Sequence, residues 1–397
     1  MATQAEEIKA VEAEHLLQVY RRIPLVFTRG EGSYLYDTDD HPYLDFVSGL
    51  GVASLGHANP DLATAVADQA RTLIHTSNLY FHPLQGEVGR RLAALSGLPR
   101  AFFCNSGAEA VEGCLKFARR FWYTRGEPRT RVVALERSFH GRTLGALSAT
   151  WEPAYRAPFE PLLDVTFVSP NDPAALSDAC GPDVAAIIVE PIQGEGGVWP
   201  LTAAFADAVT AACQSSGALL IADEIQCGLG RTGAPFHAAT LGLRPDLMSL
   251  GKALGAGVPI GAILLSQRVA DAVSPGDHGT TYGGNLLACR AALVFLEAMA
   301  QGGLERVQQA GVRLEAGLRE LATRYPVISD IRGAGLMRGL EMPADAAVHV
   351  VGGAMSRGLL INRTADTVVR MLPPLTVSDE EIDEALRILA EALATLQ

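Results

Sequence analysis

Seven short runs of almost unbroken hydrophobic residues punctuate the middle of the chain, at 101–105, 131–135, 164–169, 184–190, 218–223, 247–251 and 261–266. Their length and lack of in–out alternation suit strands buried on both faces. Between many of them lie helix-compatible stretches, such as 108–125 and 202–216, which can cover those faces. The pattern predicts a doubly wound α/β layer structure with a largely parallel sheet. Ligands in such folds bind outside the carboxyl ends of the strands, and several polar motifs here follow strand ends.

The pattern changes toward the C terminus. Residues 290–325 read as long and helical, followed by strand-like 327–332, 335–341, 359–362 and 368–372 and a last helix after Ser378. This predicts a smaller α+β domain. Residues 25–46 read as short strands punctuated by Gly30, Gly32 and Asp39-Asp40, and are expected to join that domain in space. The chain is therefore expected to divide into an N-terminal segment 1–52 that joins the small domain, a large ligand-binding domain 53–290 and a small domain 291–397.

Composition narrows the function classes. With 397 residues the chain can bury a sizeable core, which favours an enzyme over a small module. The formal charge is −12 and the arginines are scattered, so no nucleic-acid partner is expected. The six cysteines form no C-x-x-C pair and no metal-ligand spacing with the nine histidines, so no metal is expected. Residues 1–20 lack the layout of a secretory signal, and no continuous apolar run reaches about 18 residues. A cytoplasmic protein that engages no membrane is expected.

Only three lysines are present, Lys9, Lys116 and Lys252. Lys252 lies in the apolar, glycine-ended run 247–257, which holds no other charge. A desolvated lysine has a lowered pKa and can act as an amine nucleophile toward a carbonyl. The alternative is a buried stem whose tip snorkels to water. Asp223, in Asp223-Glu224-Ile225-Gln226, brings a carboxylate to the end of an apolar strand. It can pair with a protonated ring nitrogen, with Gln226 donating to a ring oxygen, or it can cap a following helix. Asn105-Ser106-Gly107-Ala108-Glu109-Ala110 leads from a strand into a helix whose end can bind a phosphate. Ser106 and Glu109 equally have the spacing of an ordinary capping box.

Arg142, in Phe139-His140-Gly141-Arg142-Thr143, and Arg370 are lone cations whose planar forks suit carboxylates. Glu190 and Glu195 follow a buried strand, where pairing with such an arginine is plausible; structural salt bridges are the alternative. Phe139 reads as a core residue and His140 as a hydrogen-bonded one. Gly228-Leu229-Gly230-Arg231-Thr232-Gly233 matches G-x-G-x-x-G but lacks a βαβ setting, and Gly251-Lys252 lacks the Walker spacing.

In order and spacing these motifs, together with Gly56-His57-Ala58-Asn59-Pro60 and His278-Gly279-Thr280-Thr281-Tyr282-Gly283-Gly284-Asn285, resemble the class III, or ω-, aminotransferases that use pyridoxal phosphate, and among them the N-acetylornithine type. The resemblance implies fold type I, with a mostly parallel seven-stranded sheet in the large domain. It implies Lys252 as the Schiff-base lysine, Asp223 on the pyridine nitrogen, Gln226 near the phenolic oxygen and Phe139 stacked on the ring. Gly107 and Ala108 would hold the phosphate through their backbone, joined by Thr281 of a second subunit, so a homodimer with shared sites is implied. Ala108 and Val111 stand where relatives often carry Thr and Asn, which removes a possible hydroxyl contact to the phosphate.

For substrates the resemblance implies an ω-amine held at Arg142 while Glu195 neutralises Arg370, then 2-oxoglutarate bridging Arg370 and Arg142 and leaving as glutamate. Leu50 replaces a tyrosine found in enzymes for free ornithine, which suits an acylated amine, and Thr280 matches a position associated with acetylornithine. The products would be N-acetylglutamate 5-semialdehyde and glutamate, as in arginine biosynthesis. N-succinyl-diaminopimelate, a carrier-linked lysine, or ornithine- and GABA-type amines remain alternatives.

Overall fold

In the computed structural model, which describes residues 2–396, all seven hydrophobic runs fall in one sheet. Its order is Arg100–Cys104, Gly261–Leu265, Leu247–Leu250, Leu219–Asp223, Val184–Val189, Arg131–Leu135 and Val165–Val168. Six of these strands point the same way, while Gly261–Leu265 runs antiparallel to both its neighbours. Every residue of the four strands Val184–Val189, Leu219–Asp223, Leu247–Leu250 and Gly261–Leu265 is buried, which is why their sequences show no polar alternation.

The two faces are covered by different helices. Ala185, Ala186 and Ile188 pack with Ala110, Cys114 and Phe117 of the helix Gly107–Thr124. Val184, Ile187 and Val189 pack with Phe205 and Val209 of the helix Ala203–Ser216 on the opposite face. Each fully buried Val or Ile contributes roughly 1.5–3 kcal/mol of transfer free energy, so the middle of the sheet is the stable floor on which the strand ends rest.

The C-terminal part builds an antiparallel sheet ordered Asp330–Ala334, Met337–Glu341, Val368–Met371 and Asn362–Thr364. The early strands Phe27–Glu31, Tyr34–Asp37 and Pro42–Asp45 form a separate four-stranded sheet with the C-terminal strand Leu359–Leu360, which pairs in parallel with Pro42–Asp45 and so ties the two ends of the chain together. Ser378 caps the last helix, Asp379–Ala394, in a full capping box with Glu381.

Three boundaries differ from the sequence pattern. The helical stretch 290–325 is two helices, Leu286–Ala298 and Leu304–Arg324, separated at Gln301 and Gly302, where Gly302 takes φ +96°. The first helix is apolar because it is a core helix, with Ala288, Cys289, Ala292 and Phe295 all buried. The strand expected at 327–332 begins only at Asp330, since Val327 and Ile328 pack against the core from a turn. The run at 359–362 splits, one half pairing with Pro42–Asp45 and the other with Val368–Met371.

Candidate active site

The carboxyl ends of the central strands converge on a cavity of about 280 Å³, lined by Gly107, Ala108, Phe139, His140, Gly141, Arg142, Glu190, Glu195, Asp223, Ile225, Gln226 and Lys252. One wall is the start of the helix Gly107–Thr124, where Ser106 Oγ accepts from the Glu109 amide (3.2 Å). The expected capping box is half present. Glu109 Oε2 accepts instead from the Asn105 amide and side chain, at 2.8 and 2.9 Å, so the carboxylate ties down the residue before the cap. A Cβ on Gly107 would press on Ile225, at 2.8 Å from Cδ1 and 3.0 Å from Cγ2, so glycine lets this helix end lie against the floor without displacing that side chain.

Lys252 follows the strand Leu247–Leu250 and opens a tight turn, Lys252–Gly255, with φ +40°. A left-handed lysine costs about 1–3 kcal/mol, and that strain lies at the lysine singled out from the sequence. The side chain opens on the cavity rather than snorkelling to the outer surface. Burial lowers its pKa; the Glu195 charge opposes this and the Arg370 charge reinforces it.

Asp223 ends its strand with Oδ2 2.6 Å from His140 Nδ1 and Oδ1 accepting from the Ile225 amide at 3.1 Å. It caps no helix, because the chain beyond it runs in turns. Burial works against the His140 imidazolium, yet the hydrogen bond to Asp223 and the charges of Asp223 and Glu190 raise its pKa overall. His140 Nε2 is buried without a partner. Phe139 lines the cavity rather than filling a core.

Glu190 departs from expectation. Its carboxylate pairs with no arginine but accepts from the amides of Phe139 (3.1 Å) and Gly194 (3.3 Å). Burial, with the nearby Asp223 charge, pushes its pKa up to about 7. Glu224, passed over in the sequence, is fully buried and accepts from the Ala238 amide at 2.5 Å, with its pKa also raised to about 7 by burial. It fastens the turn that carries Gln226.

Glu195 and Arg370 form an ion pair, Nη1 to Oε1 2.7 Å, in which Arg370 is fully buried. Burial opposes the Glu195 carboxylate, but the charge and hydrogen bond of Arg370 hold its pKa below the usual range. Gln226 completes the cluster, accepting from Arg370 Nη1 (3.0 Å) and donating to Glu195 Oε1 (3.3 Å). Glu195 and Gln226 line the cavity while Arg370 stands behind them. Arg142 is exposed where it lines the cavity, its guanidinium 3.4 Å over the Tyr155 ring.

Thr280 and Thr281 are not brought to this cavity by the single chain. Thr280 Oγ1 accepts from Asn105 Nδ2 at 3.2 Å, beside the turn before Gly107, and Thr281 is exposed. Leu50 is partly exposed, in a left-handed turn. The glycine motif 228–233 lies in consecutive turns that admit Arg231 to the interior, where it donates to the carbonyls of Leu336 and Pro373. It opens no helix and so cradles no dinucleotide.

Comparison with known proteins fits this geometry. The family model Aminotransferase class-III matches residues 17–393. The acetylornithine aminotransferase of Methanocaldococcus jannaschii is 44% identical across 98% of this chain and 98% of its own. That of Caldanaerobacter subterraneus subsp. tengcongensis is 43% identical across 97% of this chain and 99% of its own. Among solved structures, the ornithine aminotransferase of Toxoplasma gondii, described with partial occupancy of PLP at its active site, superposes with a TM-score of 0.94 at 34% identity, covering 98% of this chain and 94% of its own. A convergent lysine, carboxylate and helix end on a mostly parallel sheet, matched along nearly the whole sequence, have one reading: this chain belongs to the class-III aminotransferases.

Proposed function

We propose that this protein transfers the ω-amino group of N-acetylornithine to 2-oxoglutarate with pyridoxal 5′-phosphate as cofactor, in the cytoplasm, giving N-acetylglutamate 5-semialdehyde and glutamate. The cavity suits that cofactor at each of its ends. The glycine-dependent approach of the helix at Gly107 offers the amides of Gly107 and Ala108 to a phosphate. Asp223, backed by His140 at 2.6 Å, offers a carboxylate to the ring nitrogen. Lys252 offers an amine to the aldehyde, Phe139 a ring to stack and Gln226 an amide for the phenolic oxygen. When bound, pyridoxal phosphate supplies an aldehyde that exchanges with amines and a ring that withdraws electrons from the substrate carbon.

The residues of the chain supply the rest. Lys252 Nζ, its pKa lowered by burial, is the base for the proton on the amine-bearing carbon. Arg142 takes the α-carboxylate of the ω-amine substrate, and later the distal carboxylate of 2-oxoglutarate, whose α-carboxylate goes to Arg370. The observation that carries the substrate order is the 2.7 Å Glu195–Arg370 pair. With Arg370 neutralised the cavity wall takes a neutral chain end, and with Glu195 turned aside it takes a carboxylate. An acylated α-amine is favoured by the apolar Leu50 and by Thr280. Thr281 would complete the phosphate site of a second copy. In support, Leu79, Tyr80, Phe81 and Tyr282 expose large apolar side chains on adjoining segments, with Asn78 bonded to the Gly283 carbonyl at 3.0 Å.

The test is the visible spectrum of the holoenzyme before and after N-acetylornithine, with no keto acid present. The cofactor band is expected to convert; a band that persists would move the substrate to another blocked diamine, and no band after adding pyridoxal phosphate would refute the reading. Substituting Glu195→Gln removes the neutralising charge from Arg370. The glutamate half-reaction is then expected to gain about tenfold over the N-acetylornithine half-reaction, the scale of one charge-assisted hydrogen bond. An unchanged ratio of single-turnover rates would refute the switch.

A further inference from the structure

The ion pair between Glu195 and Arg370 is held from behind by one short strand, Asn362–Thr364. Thr364 Oγ1 donates to the backbone carbonyl of Glu195 at 2.5 Å, and Thr364 is buried. Two residues earlier, Asn362 Oδ1 accepts from Arg370 Nε at 3.3 Å, and Asn362 is the register partner of Arg370 on the adjoining strand. A single strand therefore grips the backbone of the carboxylate and the side chain of the cation. The loop around Glu195 is otherwise rich in glycine, with Gly194, Gly196 and Gly197, and Gly197 takes φ +108°. Glycine gives such a backbone more conformational freedom than other residues would. Its other backbone anchors are the turn bonds from the Gly197 and Val198 amides to the Gly194 carbonyl (both 3.4 Å), Glu190 on the Gly194 amide (3.3 Å) and Arg332 on the Gly197 carbonyl (2.8 Å), and none of them is made by the Glu195 backbone.

We propose that Thr364 is a specificity-determining positioning residue: its hydroxyl latches the Glu195 backbone so that the carboxylate rests on Arg370, and so sets how readily Arg370 is released to a dicarboxylate. The inference rests on the switch reading of Glu195 and Arg370. With the latch intact, Glu195 can leave Arg370 only by side-chain rotation about a fixed Cα, and returns to the same place. Without it the glycine-flanked loop relaxes, the carboxylate spends less time on Arg370, and the guanidinium is less well covered. Arg370 Nη2, which is buried and has no partner, is then a free donor for an incoming carboxylate.

Thr364→Val keeps the branched shape and strand preference and exchanges the hydroxyl for a methyl, which cannot bond to the Glu195 carbonyl; Thr364→Ser keeps the hydroxyl and drops the methyl. In the holoenzyme, T364V is expected to raise the ratio of glutamate to N-acetylornithine half-reaction efficiency three- to tenfold, about the worth of one neutral buried hydrogen bond, with T364S within about twofold of the parent. Glutarate, a dicarboxylate with no amine or ketone to react, gives a readout separate from turnover: calorimetry should find it binding three- to tenfold tighter to T364V. If T364V does not fold, Thr364→Ala replaces it in both measurements. An unchanged ratio with unchanged glutarate affinity, or equal loss in both half-reactions, would overturn the latch. Should the parent react with glutamate but not N-acetylornithine, the substrate reading fails, and the glutarate measurement alone decides for or against Thr364.

Discussion

Replacing Lys252 with alanine is expected to lower transamination by at least about 10³-fold, because the substitution removes the amine that meets the cofactor aldehyde and the base for the substrate proton together. General acid–base catalysis alone is worth roughly 10²–10⁴-fold, so losing both roles at one residue exceeds what any binding residue of the cavity contributes. Both half-reactions pass through the same amine and should fall together. The pKa direction gives a second expectation. Burial lowers the Lys252 pKa, so its neutral, proton-accepting form prevails at lower pH than that of an ordinary lysine near about 10.4. The acid limb of the rate profile should accordingly lie below that range. Single-turnover rates of K252A in each half-reaction, with and without a small primary amine added to refill the cavity, check the assignment. Activity within about tenfold of the parent would refute it.

The placement of Lys252 and Asp223 at strand ends was legible in the sequence for the same reason the sheet was. A strand buried on both faces reads as a continuous apolar run, so a charged residue at its end stands out, and the strand that carries Asp223 is buried throughout. What escaped notice lies across long separations. His140 is 83 residues from Asp223 and Thr364 is 169 residues from Glu195, and no local spacing announces either contact. Glu190 was misread because a carboxylate beyond a buried strand can be satisfied by an arginine or by backbone amides, and the side chain alone does not say which. The break at Gln301 and Gly302 was hidden by good helical periodicity on both sides, which these two non-helical residues interrupt.

Substituting Asp223→Asn is expected to slow both half-reactions by roughly 10²–10³-fold, the size that follows loss of one electrostatic group aimed at a reacting centre. The amide keeps the volume and can still bond to the Ile225 amide, but it brings no negative charge to the ring nitrogen. It also removes the partner that holds His140, whose pKa is raised through the hydrogen bond and charge of Asp223 against the cost of burial. The His140 pKa should therefore fall, because the hydrogen bond and charge that hold it up at 2.6 Å are lost together. The discriminating feature is the pattern rather than the size. Glu195 and Thr364 act where the substrate carboxylate binds, so their substitutions should split the two half-reactions; Asp223 acts on the ring common to both and should lower them by the same factor. Parallel single-turnover measurements of D223N and E195Q make that comparison directly. A D223N enzyme that loses one half-reaction and keeps the other would place Asp223 with the substrate-binding groups and remove it from the cofactor.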